Sequence, residues 1–339
     1  MQEIPIIDMS EIGEIEDDVG NNVNWISLAG KIREHLGNFG FIYLKNFGMN
    51  VSMINSAFTT VKTFFDLTLD DKLKYKKQPL DEDSNAWCGY SEAVDELLLH
   101  PSPFKELLES YDIFYGVGTY PDEEVPDFKS IFSSMYDVCN SLAKKFLVLF
   151  AISLTLEPNF FLNHCTHIDD SSLPRACNMR VLHYPPIPCD MDLSPGIERL
   201  EEHSDYGLLT FLFQDTNGGL EVKTNNGKWI KATPIPGTIL INTGDLLEIW
   251  SSGIYPATKH RVVLPRISLQ KYSSRYSIAY FLMPNVDTKV ETLNVMKTES
   301  EEERLEKSSR RKDGVMGKVS ELDYVLCKFA ESFGRNHRN

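Results

Sequence analysis

The residues whose types and spacing are suited to chemistry lie in two tripeptides and at one further histidine. They are His203-Ser204-Asp205, His260 and Arg275-Tyr276-Ser277. Residues i and i+2 of an extended strand point to the same side, so His203 and Asp205 are expected to project together from one face. An imidazole and a carboxylate placed in this way are two of the three ligands in the 2-His-1-carboxylate site of non-haem Fe(II) enzymes. Most tripeptides of this kind are surface turns, so the interpretation depends on a third ligand.

His260 is the candidate for that third ligand. It begins a predicted strand, His260–Leu264, and enough chain separates it from Asp205 for several antiparallel strands to bring the two together across a barrel. A histidine at such a position could equally be a hydrogen-bonded residue of the core. Spacing alone favours neither interpretation.

Arg275 and Ser277 predict a second kind of site. The i, i+2 spacing places a guanidinium and a hydroxyl on one strand face, where together they can hold a carboxylate. The strand continues as Ile278-Ala279-Tyr280-Phe281, whose hydrophobic character argues against an exposed arginine. A buried arginine needs an anionic partner. A dicarboxylate whose other end reaches the metal would provide that partner, which favours the interpretation of His260 as a metal ligand.

The elements that must position these residues change in character near residue 175. Before that point, apolar residues at three- and four-residue spacing predict helices, with one early strand at Phe41–Leu44. After it, short apolar runs alternate with turn signals and predict strands. The predicted helices are Ser27–Leu36, Met53–Phe65, Phe128–Leu156 and a charged C-terminal stretch, Glu301–Phe333. The predicted later strands are Met179–Tyr184, Leu208–Phe213, Leu220–Lys223, Lys228–Ala232, Thr238–Asn242, His260–Leu264 and Tyr276–Phe281. The fold class is therefore mixed α and β, with one β-sandwich or barrel surrounded by helices.

Composition and charge exclude several classes of partner. The 339-residue chain has 49 acidic and 34 basic residues and a formal net charge of −15. Such a surface repels nucleic acid and anionic lipid. The six cysteines show no CxxC pair, which is typical of reduced thiols, and the N-terminal sequence is acidic where a signal peptide is basic. The longest apolar run, Phe146–Leu154, is too short to span a membrane. We therefore expect a cytoplasmic protein, with nuclear entry by diffusion, that binds neither nucleic acid nor membranes.

The same residues resemble a known enzyme family. In their order along the chain, the HxD tripeptide, the distal histidine and the RxS tripeptide are similar to the iron(II)/2-oxoglutarate-dependent oxygenases of the isopenicillin N synthase-like family. Further matches are Ile4–Asp8, Phe39–Gly48, Gly219–Val222 with Trp229, and Asn242–Leu246. The sequence departs from the family's pattern at Phe47, His183, Ser252 and Ala257. None of these changes removes a ligand.

The resemblance implies a fold and a role for particular residues. The fold is a distorted double-stranded β-helix, or jelly roll, at residues 171–290. An N-terminal helical region with early strands at 1–170 packs on it, and a helical segment follows at 291–339. Fe(II) is assigned to His203, Asp205 and His260, and 2-oxoglutarate to Arg275, Ser277 and Tyr184. Residues implied near the substrate are Arg180, Tyr206 and Tyr90.

The implied reaction is oxidation of a small molecule by O2, most simply a hydroxylation, with release of succinate and CO2. Ascorbate is a candidate reductant, and a monomer is expected. Two alternatives stay open at this point. One is an iron oxidase of the same fold that does not use 2-oxoglutarate, since some relatives keep the Arg-x-Ser pair without it. The other is a catalytically silent jelly roll that binds a small molecule or a protein.

Overall fold

Two β-sheets packed face to face form the centre of the molecule. The computed structural model describes residues 3–79, 87–92, 108–168, 177–186, 198–264, 273–309 and 319–320, and the description of the fold is confined to them. The strands are β1 (Ile6–Asp8), β2 (Phe41–Lys45), β3 (Gln78–Pro79), β4 (Trp87–Ser91), β5 (Glu109–Ile113), β6 (Cys177–Tyr184), β7 (Glu198–His203), β8 (Leu209–Gln214), β9 (Leu220–Lys223), β10 (Trp229–Lys231), β11 (Ile239–Thr243), β12 (His260–Val263), β13 (Arg275–Leu282), β14 (Lys289–Val290) and β15 (Val319–Ser320).

The strand order defines a large sheet and a small one. The large sheet has nine strands in the order β1-β2-β11-β8-β13-β6-β5-β4-β3, and the small sheet has four in the order β10-β9-β12-β7. Neighbouring strands pair antiparallel, except for the parallel pair β1 and β2. An apolar core fills the space between the sheets, with Val222 and Val262 from the small sheet against Phe41, Leu182 and Leu240 from the large one. Two antiparallel sheets closed over one such core are the jelly-roll arrangement.

Helices cover the outer face of the large sheet. They are α1 (Val23–Phe39), α2 (Val51–Phe65), α3 (Leu69–Leu73), α4 (Phe128–Ser153), α5 (Asp245–Trp250) and α6 (Glu299–Ser309). The side chains of Asn22 and Asn50 cap α1 and α2 by accepting hydrogen bonds from backbone N–H groups of the first turn. The long helix α4 packs on α1 and buries Phe132, Phe146 and Phe150. None of the described helices is both long and apolar enough to cross a membrane.

The elements predicted from periodicity are present where the structure describes them. The first three predicted helices correspond to α1, α2 and α4, and the predicted strands correspond to β2, β6 and β8–β13, with ends shifted by a few residues. The longer strands that escaped prediction are β4, β5 and β7, because polar residues interrupt their apolar alternation. The prediction of a helix over Glu301–Phe333 is right for α6 but wrong for Val319–Ser320, which pairs with β14. The remainder of that stretch lies outside the described residues.

The junction between α1 and β2 is tight, and it bears on the position of His260. Gly40 ends α1 in the left-handed region with a φ of 71°, and β2 begins at the next residue. A Cβ atom on Gly40 would lie 2.2 Å from Thr258 Oγ1. That hydroxyl donates a hydrogen bond to the Phe39 carbonyl at 2.9 Å. The end of α1 is therefore fastened to the segment that leads directly into His260.

Candidate active site

Three side chains converge at one end of the space between the sheets. His203, the last residue of β7, lies directly opposite His260, the first residue of β12. Their ring centroids are 4.2 Å apart. Asp205 Oδ1 lies 3.8 Å from His203 Nε2 and 3.6 Å from His260 Nε2. The ligand atoms all lie within 4.8 Å of one another, a spacing that suits two imidazoles and a carboxylate sharing one metal ion.

His203 and Asp205 lie close together as expected, but they do not belong to the same strand. Strand β7 ends at His203, so Asp205 lies in an irregular link after the strand instead of two residues further along it. The Asp205 carbonyl accepts the Asp245 N–H at 2.8 Å, which fixes the link against the start of α5. Gly244 allows this approach, because a Cβ atom there would lie 2.3 Å from the Gly207 carbonyl oxygen.

Both histidines are oriented by backbone carbonyls. His203 Nδ1 lies 2.8 Å from the Glu201 carbonyl, and His260 Nδ1 lies 3.2 Å from the Thr258 carbonyl. A carbonyl can only accept, so each Nδ1 carries the proton and each Nε2 is left with its lone pair. This tautomer presents both Nε2 atoms as metal donors toward Asp205.

The Asp205 carboxylate is oriented by the large sheet. Its Oδ2 accepts hydrogen bonds from Thr210 Oγ1 at 2.5 Å and Asn242 Nδ2 at 2.7 Å. Thr210 and Asn242 are directly paired neighbours on β8 and β11. Burial alone would raise the pKa of Asp205, but the two histidines and these hydrogen bonds lower it overall. The group is therefore an ionised carboxylate whose Oδ1 faces the histidines.

Loss of the Asn242 contact is expected to weaken metal binding at this candidate site while leaving His203, Asp205 and His260 in place. In Asn242→Ala, one hydrogen bond to Asp205 Oδ2 is lost and the carboxylate can rotate. We expect Fe(II) affinity to fall by about 10- to 100-fold, the usual effect of removing a group that orients a ligand. Anaerobic titration of the apo-protein with Fe(II) measures this. Asn140→Ala is the matched control, because Asn140 is equally buried but bonds Ile168 and Tyr280 on the helical side. Equal affinities in Asn242→Ala and the parent would contradict the assignment.

Arg275 is a buried cation held by neutral groups. It is 3% exposed, and its Nε donates to the Gly218 carbonyl at 2.8 Å. Its Nη1 and Nη2 donate to Ser277 Oγ at 3.1 Å and Gln214 Oε1 at 3.3 Å. The Tyr184 ring lies 4.9 Å from its central carbon. Within the part of the chain that is described, no carboxylate lies within ion-pair distance of Arg275, so an anionic ligand fits this position.

The remaining residues singled out from the sequence lie in three different environments. Arg180, on the inward face of β6, forms a two-bond ion pair with Asp112, with both bonds at 2.9 Å. Tyr206 follows Asp205 directly and is partly exposed. Tyr90 lies on the outer face of the large sheet, where its ring packs on Phe64 and its hydroxyl donates to Glu109 at 2.5 Å. The structure therefore does not bring Tyr90 to the three converging side chains.

His183 is also turned away from the interior. Neighbouring residues of a strand face opposite sides, so Tyr184 points inward and His183 points toward the helices. There it stacks on Tyr276 with ring centroids 4.6 Å apart and bonds Glu109 and Ser274. The histidine at this position therefore lies on the opposite face of the sheet from the Arg275 guanidinium.

The structure adds residues that sequence reasoning missed. Thr210 and Asn242 orient Asp205, while Gln214 and the Gly218 carbonyl hold Arg275. In the sequence, Asn242 stands out only as part of the segment Asn242–Leu246, and no local signal distinguishes Thr210, Gln214 or Gly218. The fold is a jelly roll, and its interior holds a 2-His-1-carboxylate cluster and a buried arginine without an anionic partner in the described residues. These features are typical of the non-haem iron oxygenases.

Comparison with known proteins leads to the same class. Residues 175–284 match the model of the 2OG-Fe(II) oxygenase superfamily, and residues 4–130 match the N-terminal model of the non-haem dioxygenase in morphine synthesis. The proline hydroxylase buaE of Petromyces alliaceus is 31% identical over 277 residues, which covers 79% of this chain and 84% of that protein. The homoarginine-6-hydroxylase of Glycine max is 28% identical over 341 residues, covering 93% of this chain and 96% of that protein.

Solved structures agree with these relatives. A full-length Neurospora crassa protein, solved in complex with alpha-KG and 5-formyluracil, has a TM-score of 0.73 and 31% identity, with 96% of each chain covered. The Arabidopsis thaliana dioxygenase for auxin oxidation, in complex with 2-oxoglutarate, has a TM-score of 0.63 and 26% identity, covering 84% of this chain and 94% of that one. The chain belongs to the Fe(II)/2-oxoglutarate-dependent oxygenases of the isopenicillin N synthase-like family.

The family membership fixes the class of reaction. The protein is an oxidoreductase that uses Fe(II), 2-oxoglutarate and O2 and acts on a small molecule. The predicted jelly-roll fold is confirmed. The comparisons lend no support to an oxidase that works without 2-oxoglutarate or to a silent binding protein.

Proposed function

We propose that His203, Asp205 and His260 bind the catalytic Fe(II). The observation that carries this assignment is the convergence of two Nε2 atoms on Asp205 Oδ1, at 3.8 and 3.6 Å. Each of these side chains is already held by a further hydrogen bond, so little reorganisation is needed when a metal binds. Fe(II) held by these three residues would supply the O2 chemistry of the family, in which 2-oxoglutarate is oxidatively decarboxylated to succinate and CO2.

Arg275, Ser277 and Tyr184 are assigned to the C5 carboxylate of 2-oxoglutarate. Arg275 and Ser277 lie two residues apart on the inward face of β13, and Tyr184 is the cross-strand partner of Arg275 on β6. Their burial keeps water from this carboxylate and strengthens its attraction to the guanidinium. The chain thereby orients the cosubstrate with one end at Arg275 and the other at the metal ligands.

Arg180 and Tyr206 are assigned to the substrate side of the site. Arg180 pairs with Ala279, which lies two residues beyond Ser277 on the same face of β13. Arg180 and Lys77 both bond Asp112, with Lys77 Nζ at 2.5 Å. Burial alone would raise the pKa of Asp112, but these two cations lower it well below its usual range. Arg180 therefore places a charged, hydrogen-bonding guanidinium on the inward face of β6, which favours a substrate with polar atoms.

A polar small molecule is the kind of substrate that suits Arg180. The names of related proteins cover such compounds, since the Neurospora crassa protein has also been solved with thymine and other relatives are named for hydroxylating proline and homoarginine. A panel of thymine, uracil, L-proline and L-homoarginine, with cyclohexane as the apolar control, tests the proposal. We expect at least one polar compound to stimulate succinate release from 2-oxoglutarate and to yield an oxidised product detectable by mass. Stimulation by the apolar control alone would contradict it.

We also propose that the protein is a cytoplasmic monomer without a nucleic-acid partner. The net charge of −15 supports the absence of nucleic-acid binding. The division into an N-terminal region (1–170), a jelly-roll core (171–290) and a C-terminal segment (291–339) is part of the same proposal. Strands β1 to β5 from the first region join the nine-stranded sheet, which supports folding of the first two regions as one unit.

A further inference from the structure

Arg199 is a second buried arginine in the interior of the jelly roll. It lies on β7, the strand that ends at His203, and it is 5% exposed. Its guanidinium crosses from the small sheet toward the large one, where Nη2 donates to the Pro185 carbonyl. The sequence alone gives no role to Arg199, which is one of four charged residues in Glu198–Glu202.

No acidic side chain of the described residues forms an ion pair with Arg199. Its Nε is buried and has no hydrogen-bond acceptor within those residues. The carboxylate with the clearest electrostatic influence on it, that of Asp215, accepts hydrogen bonds from the backbone N–H groups of Asn217 and Tyr276. A buried guanidinium with an unused donor is expensive to maintain unless a ligand completes it.

Arg199 and Arg275 share one aromatic ring. The central guanidinium carbon of Arg199 lies 5.3 Å from the centroid of Tyr184, and that of Arg275 lies 4.9 Å from it. Burial, with a smaller contribution from the positive charge of Arg275, lowers the pKa of Arg199 to about 10. Two positive charges that repel each other in a water-poor interior are stabilised by an anion between or beside them.

We propose that Arg199 is a second cationic contact for the far carboxylate of 2-oxoglutarate, completing with Arg275 a two-arginine site around Tyr184. This inference rests on the proposed role of Arg275. It adds a specificity determinant on the small sheet, so both sheets hold the cosubstrate. A 2-oxo acid that lacks the distal carboxylate gains nothing from Arg199.

The test compares two 2-oxo acids in three proteins. The anaerobic Fe(II) protein is titrated with 2-oxoglutarate and with 2-oxopentanoate, which has no distal carboxylate, and chelation is followed by the visible charge-transfer absorbance. In Arg199→Met we expect 2-oxoglutarate to bind about 10- to 100-fold more weakly, the range for a lost charge-assisted hydrogen bond. Binding of 2-oxopentanoate is expected to stay within about twofold of the parent. Arg199→Gln keeps a donor for the Pro185 carbonyl and is expected to show the same loss, which isolates the charge.

Arg304→Met is the matched control. Arg304 is a partly buried arginine that donates to the backbone carbonyls of Gly253 and Ile254. Like that of Arg199, its Nε has no acceptor in the described residues. Equal weakening of both 2-oxo acids in the Arg199 variants would make Arg199 a structural residue and overturn the inference. So would unchanged binding of 2-oxoglutarate. Absence of the charge-transfer band in the parent itself would instead overturn the proposed function.

Discussion

Alanine in place of His260 is expected to lower Fe(II) affinity by well over 100-fold and to abolish 2-oxoglutarate turnover. The change removes a ligand, an effect larger than the 10- to 100-fold that follows from losing an orienting group. It leaves only two protein donors, those of His203 and Asp205, in place of the three of the 2-His-1-carboxylate site. Anaerobic Fe(II) titration measures the affinity, and succinate release measures the turnover.

His164→Ala is the control for this experiment. His164 is a partly buried histidine whose ring packs on Trp250 with centroids 5.1 Å apart, on the helical side of the large sheet. Its removal perturbs packing but no metal ligand, so Fe(II) affinity should equal that of the parent. Parent-like affinity in His260→Ala, together with a normal folded spectrum, would refute the ligand assignment.

The second large effect is expected for Arg275→Met, with an increase of about 100-fold or more in the KM for 2-oxoglutarate. Truncation removes charge-assisted hydrogen bonds to the C5 carboxylate and leaves Ser277 and Gln214 without their donor. Since the metal ligands are intact, kcat at saturating cosubstrate should fall much less than kcat/KM. Steady-state succinate release over a wide range of 2-oxoglutarate concentrations separates the two parameters.

Tyr276→Phe provides the comparison on the same strand. Tyr276 is the next residue of β13, but it faces outward and stacks on His183. Its KM for 2-oxoglutarate should stay close to that of the parent. If Arg275→Met lowers kcat and leaves KM unchanged, the arginine acts on something other than cosubstrate binding, and the assignment fails.

The extent to which the site could be predicted differs between its ligands and their supports. The residue types at 203, 205, 260, 275 and 277 predicted iron and 2-oxoglutarate chemistry, because two imidazoles, a carboxylate and a buried arginine together suit only a few reactions. His203 and Asp205 converge as expected, although the strand ends at His203 and Asp205 lies beyond it. The convergence depends on the pairing of β7 with β12 and on a hydrogen bond to α5. Neither contact is encoded within the tripeptide itself.

Thr210, Asn242 and Arg199 could not be predicted for a related reason. The first two meet Asp205 only because β8 and β11 are neighbours in the sheet, a pairing between segments far apart in sequence. Arg199 lies in a polar run for which no strand is predicted, and its guanidinium lies beside the ring of Tyr184 from the opposite sheet. Tyr90 is the opposite case, a residue expected near the substrate that lies outside the site. Its outward orientation is set by the pairing of β4 with β5. Periodicity identifies the faces of an element, but it does not identify the neighbour each face meets.

The proposed metal ligands are held by both layers of the jelly roll. His203 and His260 belong to the small sheet, whereas Asp205 is anchored through Thr210 and Asn242 to the large one. A bound ion would therefore act as a removable cross-link between the layers, and its binding energy would add to the work needed to separate them. The supply of iron in a cell would then affect the lifetime of the folded protein as well as its catalytic rate.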